Sequence, residues 1–160
     1  NNAGVTQDNI FMRMTDSAWD RVFAINLDAS MIICKKFIRG MIKNKWGRII
    51  NVSSVVASTG NPGQSNYVAA KGALNGLTKS MALEVATRGV TVNCISPGFI
   101  DTAMTAKLTD DQKEKITEKI PMGRMGTGDD ISSLVLFLSS NEASYITGQN
   151  IHVNGGMFLA

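Results

Sequence analysis

Tyr67 and Lys71 stand four residues apart in the run SNYVAAKGALNGLTKS, which reads as helix. Side chains at that spacing leave one face of a helix about a turn apart, so an ammonium can sit beside a phenol. A phenol ordinarily ionises near pH ~10, and a neighbouring positive charge favours the phenolate; the neutral phenol becomes a stronger acid by about 1.4 kcal/mol per pKa unit. The expected chemistry is proton donation near neutral pH. Ser54, thirteen residues before Tyr67, lies at the end of a predicted strand and adds a hydroxyl that can be aimed at the same oxygen. Taken without their surroundings, a Tyr and a Lys four apart are more often a core residue and a solvated charge.

The elements that must position these groups alternate between helix and strand. Thr15-Asp16 offers an N-cap and an acidic first turn for a long helix to Lys43, with Trp19, Val22, Phe23, Ile33, Cys34, Phe37 and Met41 at helical spacing. Asn26 falls on that apolar stripe. A buried amide needs hydrogen-bond partners, so its position alone makes it either a local structural feature or a member of a polar network. After Gly47, Arg48 to Ser53 is a short, mostly apolar run of the kind found in parallel strands covered on both faces. Residues 57–63 read as a loop, and a second long helix follows from Gln64 to Arg88, with Gly89 as its stop. Val90 to Ile95 is the next strand, broken at Ser96-Pro97-Gly98. A short helix opens with the capping box Thr109-Asp110-Asp111-Gln112, another starts at Asp129-Asp130, and Thr147 to Gly156 reads as turn, strand and glycine-rich exit. The pattern predicts an α/β doubly wound parallel sheet in three layers.

These segments resemble the classical short-chain dehydrogenase/reductases along the whole chain. Tyr67 and Lys71 match the family's Tyr-x-x-x-Lys pair, Ser54 its serine and Asn26 its active-site asparagine. Asn1-Asn2-Ala3-Gly4 matches the Asn-Asn-Ala-Gly motif that follows the family's fourth strand, Pro97 to Thr102 its Pro-Gly-x-x-x-Thr segment, and the last strand its Thr-Gly and Gly-Gly signature. The resemblance implies a Rossmann-like fold and a catalytic set of Asn26, Ser54, Tyr67 and Lys71, with the Asn26 carbonyl holding a water that connects to Lys71. It also implies cofactor contacts from Asn2, Ala3, Gly4, Tyr67, Lys71, Pro97, Gly98, Ile100 and Thr102, and no metal. Asn1 to Gly4, Ser54 and Pro97-Gly98 would then all fall at the carboxyl ends of strands, where open parallel sheets bind ligands. The 160 residues contain no glycine-rich dinucleotide turn between a strand and a helix, so the sequence reads as one domain, the C-terminal portion of a longer nucleotide-binding unit.

Within the family, NNAGVTQDN, GNPGQSNYVAAKGAL, PGFIDTAMT and YITGQNIHVNGGMF look closest to reductases of 3-oxoacyl thioesters carried by acyl carrier protein in bacterial-type fatty acid synthesis. That resemblance implies NADPH, with NAD not excluded, a carrier-bound substrate, a homotetramer in the cytoplasm, and a substrate-side lid over residues 103–125. The alternatives are another member of the family acting on a sugar, steroid or 3-hydroxyacyl thioester, and a non-catalytic cofactor-binding module.

Composition narrows the classes. With 44% hydrophobic and 18% charged residues the chain has material for one globular core, and a net charge of +3 from 16 basic and 13 acidic side chains is too balanced for a nucleic-acid binder. Cys34 and Cys94 are isolated, without metal-ligand spacing, which fits a reducing compartment. No apolar run approaches the roughly 18 residues that span a bilayer. His152, the single histidine, lies in the last strand, apart from the Ser and Tyr, and is not expected to be catalytic. Both long helices carry apolar or small residues beyond one stripe, as expected if each also meets a symmetry mate. Lys43, Lys45, Arg48 and Arg88 fall at helix ends and are expected to form a basic patch near the active-site entrance; helix-dipole compensation explains the same charges equally well.

Overall fold

The computed structural model describes residues 1–102, 105 and 109–159. Three strands, β1 (Gly47–Val52), β2 (Val90–Pro97) and β3 (Asn150–Val153), form one parallel sheet in the order β1-β2-β3. Gly47 pairs with Val90 and Val52 with Ile95; Cys94 pairs with Asn150 and Pro97 with Val153. Parallel neighbours need long crossovers, and helices supply them. They are α1 (Asp16–Phe23), α2 (Ala29–Asn44), α3 (Val56–Thr59), α4 (Ser65–Val85), α5 (Asp110–Thr117) and α6 (Gly128–Ser139).

The sheet is covered on both faces, as its apolar strands require. Ile49, Val90 and Val92 pack with Cys34 and Ile38 of α2 and Met81, Ala82 and Val85 of α4. The alternate residues Ile50 and Ile95, with Ile151 and Val153, pack with Ile131, Leu134, Val135 and Leu138 of α6. This is the three-layer Rossmann-like arrangement.

Local sequence explains the element ends. The Thr15 hydroxyl accepts from Ala18 N at 3.2 Å to cap α1. The expected capping box at Thr109 opens α5, and a second, Thr127 with Asp130, opens α6. The expected helix from Asp16 to Lys43 carries a π-helical turn over Ala24–Asp28 that places Asn26 inward, with no exposed surface. The expected loop at 57–63 includes the last residues of α3. Ala103, Met104 and residues 106–108 of the expected lid, together with Ala160, lie outside the described residues.

The turns at the amino ends of β1 and β2 interlock. Lys45 adopts a left-handed conformation (φ 51°), Gly47 N donates to Gly89 O at 3.3 Å, and Gly89 sits at φ 70°. A Cβ on Gly89 would collide with the Lys45 carbonyl oxygen, so strain and a clash coincide. Gly89→Ala is expected to lower stability by about 1–3 kcal/mol, read as a reduced urea midpoint at constant m. Gly40→Ala, in α2 with nothing within 4 Å of the added methyl, is expected to be neutral or stabilising by up to about 1 kcal/mol. Equal midpoints for the two variants would refute the interlock.

Candidate active site

The site begins where β1 ends. Ser53 N donates to Ile95 O and Val55 N to Pro97 O, both at 2.8 Å, so the ladder to β2 continues past β1 and fixes Ser54 between two strand-like hydrogen bonds. Asn1 N donates to Ile50 O and Asn1 O accepts from Val52 N, both at 2.9 Å, which lays the Asn1–Gly4 segment along the other edge of β1. On the far side, Gly98 N donates to Val153 O at 2.9 Å, and a Cβ on Gly98 would stand 2.8 Å from Asn154 Cα. Only a glycine lets the chain leave β2 so close to the end of β3. Asn2, Gly4, Ser54, Pro97 and Gly98 are thereby gathered at the carboxyl edge of the sheet.

Helix α4 brings the remaining groups over that edge. Lys71 is buried; its ammonium donates to Val52 O at 2.6 Å, while its own carbonyl accepts the Ser53 hydroxyl at 3.0 Å. Burial lowers the Lys71 pKa from 10.5 to about 8. One turn earlier, the Tyr67 ring centre is 5.7 Å from the ammonium. Burial pushes the Tyr67 phenol upward, the Ser54 hydroxyl pulls it back, and the Asp8 carboxylate adds to the rise. Lys71 does not meet the phenol by a hydrogen bond: its ammonium is turned to a backbone carbonyl, with the charge 5.7 Å from the ring centre, and burial is the largest influence on the phenol.

Asn26 binds the loop from the opposite side. Its Oδ1 accepts from Val5 N and its Nδ2 donates to Val5 O, each at 2.8 Å, so one buried side chain replaces a strand partner for Val5. A Cβ on Gly4 would lie 3.1 Å from Asn26 Oδ1 and 3.6 Å from Lys71 Nζ, so this glycine lets the loop pass between the two. From its position alone Asn26 was open between a structural and a network role; the structure makes it a clamp on the loop beside Lys71.

Three cavities meet here. One of about 190 Å³ is lined by Asn2, Gly4, Ser54, Tyr67, Lys71 and Gly98. A second, of about 330 Å³, shares Ser54, Tyr67 and Gly98 and extends to Asp8, Asn61 and Gln64. A third, of about 650 Å³, runs from Asn2 and Pro97 past Ile100 and Thr102 along β1 and α6. The hydroxyls of Ser54 and Tyr67 thus stand at a junction, with Lys71 on one side and an amide-rich wall on the other. Ala3 is exposed between Asn2 and Gly4 and does not line these cavities.

Several residues here escaped the reading of the sequence. Asn66, fully buried, donates to Gln7 O at 3.0 Å and accepts from Tyr67 N at 2.7 Å, tying the start of α4 to the loop. Thr105 Oγ1 donates to Ile100 O at 2.9 Å and accepts from Thr102 N at 2.8 Å, folding the segment after β2 over the junction. The density of amides in NPGQSN, just ahead of Tyr67, was the available signal for the first. His152 lies in β3 opposite Ser96, its ring 4.7 Å from that of Phe158, away from the junction.

A family model described as enoyl-(acyl carrier protein) reductase matches residues 1–158. The chain is 54% identical over 159 residues to nodulation protein G of Rhizobium sp. (strain N33), covering 99% of this chain and 65% of that protein. It is 53% identical over 158 residues to the 3-oxoacyl-[acyl-carrier-protein] reductase FabG of Rickettsia felis, covering 99% of this chain and 66% of the relative. With the corresponding reductase of Haemophilus influenzae the identity is 52% over 160 residues, covering 100% of this chain and 66% of the relative. The chain therefore spans slightly less than two thirds of the length of these relatives. With matches over nearly its whole length, and a parallel sheet layered between helices, the chain belongs to the short-chain dehydrogenase/reductase family.

Proposed function

We propose that the protein of which these residues form a part is an NADPH-dependent reductase of 3-oxoacyl thioesters carried by acyl carrier protein, acting in fatty acid synthesis in the cytoplasm. The observation that carries this reading is the placement of Ser54 and Tyr67 together on two adjoining cavities, with Lys71 lining one of them. A nicotinamide dinucleotide, when bound, supplies the hydride. The residues present fit such a group: Lys71 spends one donor on Val52 O, and its other N–H donors have no acceptor among the described residues, a donor set suited to ribose hydroxyls. Asn2, Gly4, Pro97, Gly98, Ile100 and Thr102 line the cavities on that side. Tyr67 gives its proton to the substrate's carbonyl oxygen, and Ser54 donates a hydrogen bond to the same atom as charge builds there.

The family model's description names an enoyl reductase, whereas two of the relatives carry the name of a 3-oxoacyl reductase. The reactions differ in whether a C=C or a C=O bond is reduced. Both substrates carry a thioester carbonyl, so the names of the relatives support the 3-oxoacyl reading and the substrate panel decides it. Nodulation protein G keeps a further member of the family in view, so the test takes a panel of 3-oxoacyl, enoyl, sugar and steroid substrates. In the full-length protein, Tyr67→Phe is expected to cut turnover of the 3-oxoacyl thioester by about 10²–10⁴ while NADPH affinity stays within a few-fold, because the ring remains and the donor is lost. Near-normal turnover by this variant would sink the assignment of the acid.

The homotetramer of this reading is supported by exposed apolar side chains on the outer helix faces, Ile32 (60% exposed) and Phe37 (61%) of α2, Leu83 (84%) of α4 and Leu136 (75%) of α6. Gly72 and Gly76 on α4 leave open space beside that helix. Light scattering of the full-length protein at micromolar concentration is expected to give four times the protomer mass; a monomer would contradict it.

The basic patch needs a correction of place. Arg48 Nη1 donates to Gly89 O at 3.4 Å, and the Lys45 turn packs on Gly89, so Lys45, Arg48 and Arg88 do adjoin. They lie at the amino ends of β1 and β2, whereas Ser54 and Tyr67 lie at the carboxyl end, roughly 30 Å away along α4. That distance removes the expected role of the patch in docking a carrier at the active-site entrance, and the charges fit the helix-dipole reading, with Lys43 in the last turn of α2.

A further inference from the structure

The cavity that reaches from Ser54 and Tyr67 towards the substrate side has one wall of polar side chains to which the reaction above assigns no use. Asn61 Nδ2 donates to Gln64 Oε1 at 2.9 Å, and Gln64 Nε2 donates to Asp8 Oδ2 at 3.0 Å. All three residues line the cavity with Ser54 and Tyr67. An ionised carboxylate only accepts, so Asp8 decides which end of the Gln64 amide faces it, and Asn61 fits the acceptor end that remains. Gln64 keeps a second N–H donor. Asp8 is exposed, yet its stretch of loop is anchored on both sides: Asn9 N donates to Gly63 O at 2.9 Å, Gln7 O accepts from Asn66 Nδ2 at 3.0 Å, and Val5 is held by Asn26.

We propose that Asp8 is a positioning residue for the reaction of Ser54 and Tyr67, an inference that rests on the carbonyl-reduction reading: it holds the Gln64 amide in one orientation on the cavity wall and places a carboxylate on the cavity that Ser54 and Tyr67 also line. The amide orientation presents a donor to the part of the substrate next to the reacting carbonyl. The charge opposes formation of a phenolate and so keeps Tyr67 protonated to higher pH, which is the state from which a proton is given. The other groups around Tyr67 do not substitute for it. The Lys71 ammonium, 5.7 Å from the Tyr67 ring centre, and the Ser54 hydroxyl act in the opposite direction, and Asp16, Asp20, Arg21 and Asp101 do not line the cavity that Asp8 shares with Tyr67.

The experiment compares Asp8→Asn with Asp8→Ala in full-length protein labelled with 13C-tyrosine, the Tyr67 resonance being assigned by its loss in Tyr67→Phe. Asn keeps an acceptor for Gln64 and removes the charge; Ala removes both. The Tyr67 titration midpoint is expected to move to lower pH in both variants, and more so at low than at high salt. KM for a 3-oxoacyl thioester is expected to be unchanged in Asp8→Asn and raised several-fold in Asp8→Ala. A midpoint unmoved in both variants overturns the proposal, and so does an equal rise of KM in both. The titration needs no turnover, so a shifted midpoint in a protein that reduces no carbonyl would refute the reaction while the link from Asp8 to Tyr67 stood.

Discussion

A buried ammonium sets the terms for this structure. Removing a lysine charge from water costs several kcal/mol even after relaxation, and Lys71 is returned one short hydrogen bond, from the last carbonyl of β1. The lowered pKa, about 8, is the same cost in another form. What makes the arrangement tenable is that the contacts around it are fixed from several directions. The Ser53 hydroxyl on the Lys71 carbonyl pins α4 to the strand end, and Asn26 holds the loop that closes over the ammonium. Once α4 is pinned at Lys71, Tyr67 must lie a turn earlier, above Ser54.

The polar interior extends behind the site as a chain. Asn51 Nδ2 donates to Thr78 Oγ1 at 2.8 Å, Thr78 Oγ1 meets Cys94 Sγ at 3.1 Å, and Asn51 Oδ1 accepts from Asn1 Nδ2 at 2.7 Å. These groups tie β1, β2, α4 and the first loop through contacts that work only at one register. A buried polar network of this kind specifies geometry more than it adds stability, since each partner left alone would be penalised.

Much of this was legible in the chain. Strands of continuous apolar residues, small-residue helices and the Tyr-x-x-x-Lys spacing come from local rules, and they gave the layers and the Ser54, Tyr67 and Lys71 cluster. The π-helical turn at Asn26 was not legible, because each side of it keeps helical spacing and Asn26 falls on the apolar stripe with or without the extra residue that the turn accommodates. The direction of the Lys71 side chain was missed for a related reason: spacing says that two side chains share a face, not which acceptor a flexible ammonium selects. The place of the basic patch required the parallel topology, since helix ends and strand starts lie at one end of the sheet while the catalytic loops lie at the other. Asp8, Asn61 and Gln64 became a unit only when the loop after Gly4 was brought against the start of α4.

The parallel pairing of β1, β2 and β3 also says something about how the molecule comes into being. Gly47 meets Val90 and Cys94 meets Asn150, so each rung of the ladder closes a long excursion of chain before any contact rewards it. Gly98 is held by β3, and Val55 by the end of β2; the geometry beside Ser54 therefore waits for the most distant segments to dock. Long-range parallel pairing of this kind is intrinsically slow to form, and the cavity beside Ser54 is complete only when the last of these pairings is made.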